Sequence, residues 1–351
     1  MVQMITIRDQ IKFSDQELVM TNSPGQRAQS GVALITILLV VVIATVLGVS
    51  MITEQKFAIN RAQSSFNQTI ARQYTLGGEE LARQILHQDF TDAPEIDHLS
   101  ESWAQGVSQF EFDGGEVIFQ IVDLQSKFNL NSLVLPGLLG NLAKDRFKIL
   151  LSEQGLDSSF VDRIVDWVDD NEAVSPLGAE SYEYLGLERP YRTSDQLMSD
   201  VSELRLILEL EKSQFDLISP FVTTLLDPKV SININTATPE ILLILSPGLS
   251  LDEASSLAIN RDSDNPYNTL TDFTGDPALG DSANSVKVQG LSVQSNFFQV
   301  NIRARYQDRY ANLTSIIQRD SVGGRMRVVY RDQGRKVVLS FDEAENTLDD
   351  V

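Results

Sequence analysis

The segment QRAQSGVALITILLVVVIATVLGVSMITEQ, residues 26–55, decides how the rest of the chain is organised. It carries no charged side chain between residues 32 and 53. As a helix, that span is long enough to cross the ~30 Å hydrocarbon core of a bilayer. The apolar region of a secretory signal is shorter, about 7 to 15 residues. The segment therefore predicts a transmembrane helix, and an ordinary uncleaved anchor is the alternative that composition leaves open.

A helical pattern continues after the apolar run. Apolar side chains recur at four-residue spacing and resume after a Gly-Gly pair, as expected for one face of an amphipathic helix. One helix is thus predicted to leave the membrane and end near Phe90, so that residues 54–125 form a stalk helix and the first strands. The recurring residues are Ala62, Phe66, Ile70, Tyr74, Leu81 and Ile85.

The start of the apolar helix resembles the type IV pilin class. A short polar leader containing Arg27 ends at Gly31, and the apolar residues follow directly. In that class prepilin peptidase cuts after this glycine on the cytoplasmic side. The resemblance implies that residues 1–31 are a leader and that Val32 is the new N-terminus. Met20 is a possible true start, because MTNSPGQRAQSG is by itself a leader of ordinary length.

One position departs from the pilin pattern. Pilin-class subunits usually carry Glu at the fifth mature position, which is Thr36 here. A carboxylate inside a lipid-embedded helix is costly unless it is paired, in pilins with the N-terminal amine of a neighbouring subunit. A subunit at the tip of a filament has no subunit above it to pair with. Thr36 therefore indicates a tip subunit.

Composition limits the functions that this chain can have. Forty-nine acidic residues against 28 basic residues give a net charge of −21, and such a surface repels nucleic acid and anionic lipid headgroups. There is no cysteine, so no disulfide stabilises the fold. The two histidines, His87 and His98, lack a nearby Ser or Cys constellation, and no enzyme is predicted.

Strand patterns at both ends of the soluble part predict an α+β fold. VSQFEFDGGEVIFQIVD, residues 107–123, alternates around an Asp-Gly-Gly turn and predicts a hairpin. Residues 291–342 predict three or four further strands, and an acidic tail follows at 343–351. The fold class is a pilin-like N-terminal helix plus an antiparallel sheet, interrupted by a large inserted α-helical domain at residues 126–290. Inward-facing positions are Phe298, Val300, Ile302 and Ala304.

The insertion is internally repeated. FNLNS at residues 128–132 resembles ININT at 232–236, and GLDSSFVDRIVDW from residue 155 parallels GLSLDEASSLAIN from residue 248. Each unit is predicted to be a set of short helices entered through an Asn-rich turn that caps the first helix. The second unit looks like a helix-hairpin-helix or SAM-like module of DNA-uptake proteins. A competence-type pseudopilin that binds DNA is therefore the alternative function.

Charge argues against that alternative. A DNA-binding hairpin usually presents the backbone amides of a Gly-x-Gly turn to phosphate and needs nearby cations. The turn here reads Pro247-Gly248-Leu249-Ser250, so its second glycine is missing. Residues 236–276 hold seven acidic residues and one basic residue, Arg261. No nucleic-acid partner is expected.

The first unit carries an acidic loop that the second unit lacks. Oxygen ligands at alternate positions can wrap a hard cation, and Ca²⁺, which takes six to eight oxygens in flexible geometry, suits such a loop best. A solvated acidic loop is the alternative on spacing alone. A metallohydrolase would need an open metal position and a base, and nothing in the sequence marks either. The predicted ligands are Asp169, Asn171, Glu172 and Glu180, with Asp166 and Asp170 as possible additions.

Taken together, several motifs resemble the GspK family of minor pseudopilins in the bacterial type II secretion system. They are DLQSKFNLNSL, IVDWVDDNE followed by GAESYEY, PYRTSDQLMSDVSELRLIL, ININTATPEIL, and the apolar helix without its Glu. The resemblance implies a structural calcium site and an inner-membrane protein with its bulk in the periplasm of a Gram-negative bacterium. It also implies a complex with the minor pseudopilins GspI, GspJ and GspH that caps the pseudopilus. Asn171 departs from the family, which usually has Asp there.

Overall fold

The computed structural model describes residues 29–262, 265–334 and 339. Most of the predicted leader, including Arg27 and Met20, and the acidic tail at 343–351 lie outside the described residues. The chain divides into two compact units, Met1–Ser64 and Ser65–Val351, and each is described by itself.

The described part of the chain contains α-helices and short 3₁₀ turns. The 3₁₀ turns lie at Ser102–Ala104, Leu124–Ser126, Leu130–Val134, Val201–Leu206, Ser219–Phe221 and Pro277–Ser285. The α-helices are α1 (Gln29–Asp92), α2 (Gly137–Glu153), α3 (Ser159–Val168), α4 (Ser181–Leu185), α5 (Lys212–Ile218), α6 (Pro239–Leu243), α7 (Leu251–Asp262) and α8 (Leu270–Thr274).

The described part of the first unit is the N-terminal part of α1, residues 29–64. Over an 18-residue window of this helix the mean hydropathy is 3.1, and none of the window is buried. The helix is long and apolar enough to cross a membrane. The hydroxyl groups inside it bond to their own helix: Thr45 Oγ1 donates to the Val41 carbonyl at 2.7 Å and Thr53 Oγ1 to the Val49 carbonyl at 2.8 Å. These hydroxyl groups are therefore satisfied within the helix, as a membrane-spanning helix requires.

In the second unit α1 packs on the sheet through a row that contains several small residues. A Cβ atom at Gly78 would lie 2.9 Å from side-chain atoms of both Val117 and Ile302, so glycine allows the helix to approach closely. The buried row lies one position after the row predicted from the sequence. In the predicted row, Phe66 is 62% exposed, and the later residues from Ile70 to Ile85 are only half-buried. The buried row is Asn67, Ala71, Thr75, Gly78, Glu79, Ala82, Leu86 and Asp89.

One antiparallel sheet of five strands in the order β1-β2-β7-β8-β9 faces this helix. Two small parallel pairs, β3 with β4 and β5 with β6, lie in the insertion. The strands are β1 (Val107–Phe112), β2 (Gly115–Asp123), β3 (Phe128–Asn129), β4 (Val222–Thr223), β5 (Ile232–Asn233), β6 (Leu291–Ser292), β7 (Phe297–Tyr306), β8 (Arg309–Arg319) and β9 (Met326–Asp332).

The inward face of β7 confirms the alternation read from the sequence. Phe298, Val300, Ile302 and Ala304 are each 0% exposed and form one core with Leu86 of α1. β1 and β2 form the predicted hairpin, whose turn has Gly114 at φ +86°, a conformation that favours glycine. The α+β fold class is confirmed.

The inserted domain connects β2 to β7 and has a core of its own, in which Phe128 stacks on Phe147 at 5.1 Å between ring centroids. Both Asn-rich turns use the same local bond: Asn129 Oδ1 accepts from Asn131 N at 3.2 Å, and Asn233 Oδ1 accepts from Asn235 N at 2.9 Å. The repeated sequence thus produces a repeated turn.

Candidate functional site

The predicted metal ligands lie at the two ends of the loop between α3 and α4 and within that loop. Asp166 lies in the last turn of α3, Asp169 caps its C-terminus, and Glu180 precedes the first residue of α4. The backbone of Asp169 still bonds to the helix, since its N–H donates to the Val165 carbonyl at 2.9 Å. Two helix ends therefore fix three of the predicted ligands, and the loop itself supplies the others.

Asp166 is the most deeply placed of these carboxylates. It is 0% exposed and accepts a hydrogen bond from Ser175 N at 3.0 Å. A Cβ atom added at Gly178 would overlap the Asp166 carboxylate. The glycine of the GAESYEY motif therefore allows the loop to pass directly over this buried acid.

Glu180 lies among other acids without a compensating partner. Its residue is 4% exposed, and Oε1 has no hydrogen-bond partner among the described residues. Burial raises the pKa of Glu180 to about 7, and the charges of Asp166, Asp169, Asp195 and Glu172 add to that shift. The Glu180 side chain accepts from the backbone of Glu183 in a capping box, so only one of its oxygens is unsatisfied. A buried carboxylate oxygen without a partner is costly, and a cation or a proton would relieve that cost.

Residues 162–183 contain seven acidic residues and one basic residue, Arg163, which bonds elsewhere. Its Nη1 donates to the Leu208 carbonyl at 2.8 Å and its Nη2 to Glu209 at 2.7 Å. Within the described part of the chain, the carboxylates around Glu180 form no ion pair with Lys, Arg or His. The protein itself leaves their charge uncompensated.

The other predicted ligands are more exposed. Asp170, Asn171 and Glu172 face solvent, whereas Asp169 is half-buried. Burial is the largest influence that raises the pKa of Asp169, and the neighbouring acids Asp166 and Asp170 add to it. The Asn171 side-chain oxygen accepts a hydrogen bond from Ala173 N at 2.8 Å. The charges of Asp166, Asp169 and Glu172 all act on Glu180. Among the described residues, however, the one group of three acids whose oxygens lie within 4.8 Å of one another is Asp89, Asp97 and Glu101, not these predicted ligands.

Sequence reasoning missed Asp195. This residue takes a left-handed backbone conformation, with φ at 49°, and its N–H donates to the Trp167 carbonyl at 3.1 Å. The Thr193 hydroxyl donates to Asp195 Oδ1 at 2.6 Å, and the Ser181 hydroxyl lies 2.7 Å from Thr193 Oγ1. In the sequence, Asp195 belongs to the family motif that begins PYRTSDQL, and no local spacing relates it to the loop because the two lie far apart along the chain.

These residues fit a hard cation. The donors are carboxylate oxygens at the two ends of the loop between α3 and α4 and on Asp195, one buried oxygen, Glu180 Oε1, lacks a partner among the described residues, and the local charge is strongly negative. Ca²⁺ takes six to eight oxygens in irregular geometry, whereas Mg²⁺ requires a near-ideal octahedron. Asp166, Asp169, Glu180 and Asp195 are the residues that would hold such an ion.

A second acidic cluster lies where α1 meets the end of the sheet. One oxygen from each of Asp89, Asp97 and Glu101 lies within 4.8 Å of the others. The Arg319 guanidinium lies among them: it donates to Asp89 at 3.2 Å, and also to Asp97 and to the Ser295 carbonyl. Arginine is therefore the cation of this cluster, and it joins α1, β8 and the segment before β1.

The pKa values in this second cluster reflect incomplete compensation. Burial raises the pKa of Asp89 to about 7, helped by the charges of Glu101 and Asp97 and opposed by Arg319. Burial likewise raises the pKa of Asp97 and of Glu101. Asp89, Asp97 and Glu101 are close together in sequence, but their spacing does not indicate the cluster, because its cation, Arg319, comes from a distant part of the chain.

The unit resembling a DNA-binding module does not present its cation to solvent. Arg261 is 4% exposed, donates to the Ile234 carbonyl at 2.5 Å, and pairs with Asp262 at 2.9 Å. A phosphate would need free donors at this surface. Together with the missing second glycine, this geometry gives the DNA-binding hypothesis no support.

A long apolar N-terminal helix, a five-stranded antiparallel sheet and an inserted helical domain define a pilin-like subunit. Two family models, both described as type II secretion system protein K, match residues 126–228 and 232–294. The type II secretion system protein K of Pseudomonas aeruginosa is 36% identical over 329 residues, which covers 88% of this chain and 94% of that protein. The chain belongs to the type II secretion system protein K family.

A second relative and a solved structure are also similar to this chain. The protein K of Klebsiella pneumoniae is 29% identical, covering 80% of this chain and 91% of that protein. The fold matches a chain in the crystal structure of the GspK–GspI–GspJ complex of enterotoxigenic Escherichia coli, with a TM-score of 0.69 and 23% identity. That match covers 79% of this chain and 100% of the other, and it supports the fold.

Proposed function

We propose that this chain is the minor pseudopilin at the tip of the type II secretion pseudopilus, where it nucleates and caps the filament that drives protein export across the outer membrane. The observation that carries the proposal is Thr36. Its hydroxyl donates to the Ala33 carbonyl of the same helix at 2.9 Å. The position therefore offers no charge for the amine of a neighbouring subunit, and a terminal subunit does not need one.

The partners follow from the same assignment. The similar Escherichia coli chain was crystallised in a complex of GspK, GspI and GspJ. We propose GspI and GspJ as the direct partners of this chain, with GspH joining them in the pseudopilus. The role is structural, and no enzymatic activity is proposed.

The location proposed is the inner membrane of a Gram-negative bacterium. Residues 32–53 would span the membrane once, and the bulk of the chain would lie in the periplasm. The length and hydropathy of α1 support this topology. The net charge of −21 also favours a soluble domain that stays away from anionic membrane surfaces.

Calcium would stabilise the inserted domain in this proposal. Asp166, Asp169, Glu180 and Asp195 would supply oxygens, and Glu172 and Asn171 could reach the ion through a small movement of the loop. When bound, the ion would neutralise the repulsion that raises the pKa of Glu180. Binding would tie α3 to α4 and thereby order the loop between them.

Processing by prepilin peptidase provides a test of the pilin-type anchor. Gly31→Leu is expected to leave the chain uncleaved, whereas the parent chain should begin at Val32. A Cβ atom would meet nothing within 4 Å at either Gly31 or Gly48, so Gly48→Leu is a matched control that should be cleaved normally. The intact mass of the membrane-extracted protein measures the result. Retention of residues 20–31 in the parent chain would contradict the anchor proposal.

A further inference from the structure

A small apolar cavity lies beside α2, away from the calcium loop. Its volume is about 110 Å³, and its walls include Phe128, Leu139, Ala143, Val230 and Ile232. The cavity is smaller than the ~150 Å³ space that accommodates benzene in other proteins. It is therefore suited to an aliphatic side chain rather than an aromatic ring.

A buried arginine lines the same cavity without a counter-ion. Arg146 is 5% exposed; its Nη1 donates to the Gln289 carbonyl at 3.1 Å and its Nη2 to the Lys287 carbonyl at 2.6 Å. Its Nε has no hydrogen-bond partner, and Arg146 forms no ion pair within the described residues. Burial alone lowers the pKa of Arg146 to about 10. A buried charge without an opposite charge is costly, so the site favours an anion.

The cavity adjoins a wider groove that carries further positive charge. Lys229 lines both the cavity and the groove, whose volume is about 700 Å³ and whose wall includes Arg325 and Arg327. Lys229 and Arg325 are exposed and make no ion pair among the residues that the structure describes. Among the described residues, the bond of Arg327 is to a neutral partner, Gln318 Oε1, at 2.8 Å.

Two carboxylates share the groove but are partly engaged by their own loops. Asp227 accepts a hydrogen bond from the N–H of Lys229 at 3.0 Å, and Asp320 accepts one from the N–H of Val322 at 3.0 Å. The remaining wall cation, Arg319, is held by the buried acids described above. The cleft therefore has an excess of positive charge in a chain whose net charge is −21.

We infer that the cavity and the groove form one docking cleft for an acidic polypeptide segment of a partner protein. One carboxylate of the segment pairs with Arg146, and the adjacent aliphatic side chain fills the cavity. Further carboxylates contact Lys229, Arg325 and Arg327. A single small anion would leave these exposed cations without a counter-ion. An extended chain can occupy both the cavity and the groove, because the two share a wall at residues 229–231. The inference does not depend on the proposed position at the filament tip.

Fluorescence anisotropy with a labelled peptide tests this inference on the full chain in detergent. The probe alternates Leu and Glu over six residues, and its neutral counterpart replaces each Glu with Gln. Because charge-assisted bonds to a buried arginine are strong, the acidic peptide is expected to bind at least about tenfold more tightly than the neutral one. Equal binding of the two peptides would overturn the inference.

Variants then locate the binding site. Arg146→Met is expected to weaken binding of the acidic peptide about tenfold or more, and Lys229→Ala about threefold or more. Lys148→Ala removes the same charge from an exposed position on α2 that does not line the cleft, and should leave binding unchanged. If Arg146→Met does not fold, Lys229→Ala and Arg325→Ala decide the result. Equal weakening by Lys148→Ala and Lys229→Ala would indicate attraction by overall charge and would overturn the inference.

Discussion

Replacing Arg319 with methionine is expected to lower the free energy of unfolding by about 3–5 kcal/mol. The Arg319 side chain is only 3% exposed, and the carboxylates of Asp89 and Asp97 that it contacts are 5% and 2% exposed. Methionine fills much of the volume but leaves both acids buried without a cation. This loss should exceed that of most single substitutions, because a broken buried pair leaves an uncompensated charge.

The loss should also depend on pH, and its sign follows from the raised pKa values. A carboxyl group whose pKa is higher in the folded than in the unfolded state binds its proton more tightly when folded. Asp89, with its pKa raised from 3.8 to about 7, therefore destabilises the fold increasingly as pH rises through that range. Without Arg319, which lowers this pKa, the destabilisation grows. The variant should lose more stability at about pH 8 than at about pH 5.

Denaturant unfolding of the detergent-solubilised chain at both pH values measures this effect. Arg327→Met is the matched control, because Arg327 is exposed and contacts only Gln318 among the bonds described. The control should lose less than about 1 kcal/mol at either pH. Equal losses for the two variants, or a loss at Arg319 that does not change with pH, would show that the buried acids do not require this arginine.

Millimolar calcium is expected to stabilise the chain relative to chelator, which is the second large effect. Ligand at one hundred times its Kd adds about 2.7 kcal/mol, which corresponds to several degrees, about 5 °C, in melting temperature. Magnesium should give a smaller shift, since it prefers octahedral geometry and retains its water. The melting temperature of the full chain in each condition measures the difference.

Two substitutions in the loop distinguish calcium binding from a general salt effect. Glu180→Gln and Asp169→Ala should each remove most of the calcium-dependent shift. Glu180→Gln should not lower the melting temperature in chelator, because it removes a buried charge that has no partner at Oε1. Asp252→Ala removes an acid from the corresponding helix of the second unit, α7, and should leave the shift intact. The calcium proposal fails if the parent chain melts at the same temperature with calcium and with chelator.

The sequence predicts those features that depend on the pattern of a few neighbouring residues. The apolar run of α1, the alternation of Phe298, Val300 and Ile302, and the Asp-Gly-Gly turn each satisfy one geometric rule within a few residues, and each appears in the structure. The face of α1 that is buried against the sheet was predicted less accurately. Sequence favoured the row with the largest apolar side chains, whereas the sheet selects the row containing Ala71, Gly78 and Ala82 because small residues allow close packing.

Features built from distant residues could not be predicted in the same way. The predicted ligands of the acidic loop indicated a cation site, but Asp195, whose charge acts on Glu180, lies far along the chain and is held near α3 by its bond to the Trp167 carbonyl. Arg319 meets Asp89 across 230 positions of the sequence, and Arg146 bonds to carbonyl groups about 140 positions away. No period or spacing encodes such contacts, because they depend on how the insertion returns to the sheet.

The central proposal is that this chain caps the pseudopilus, and the native mass of its complex tests it most directly. The measurement uses the processed chain produced together with GspI and GspJ from the same bacterium and extracted in detergent. A tip subunit predicts one species that contains a single copy of each of the three proteins. A mass showing several copies of this chain in one assembly, or this chain without GspI and GspJ, would contradict the proposal.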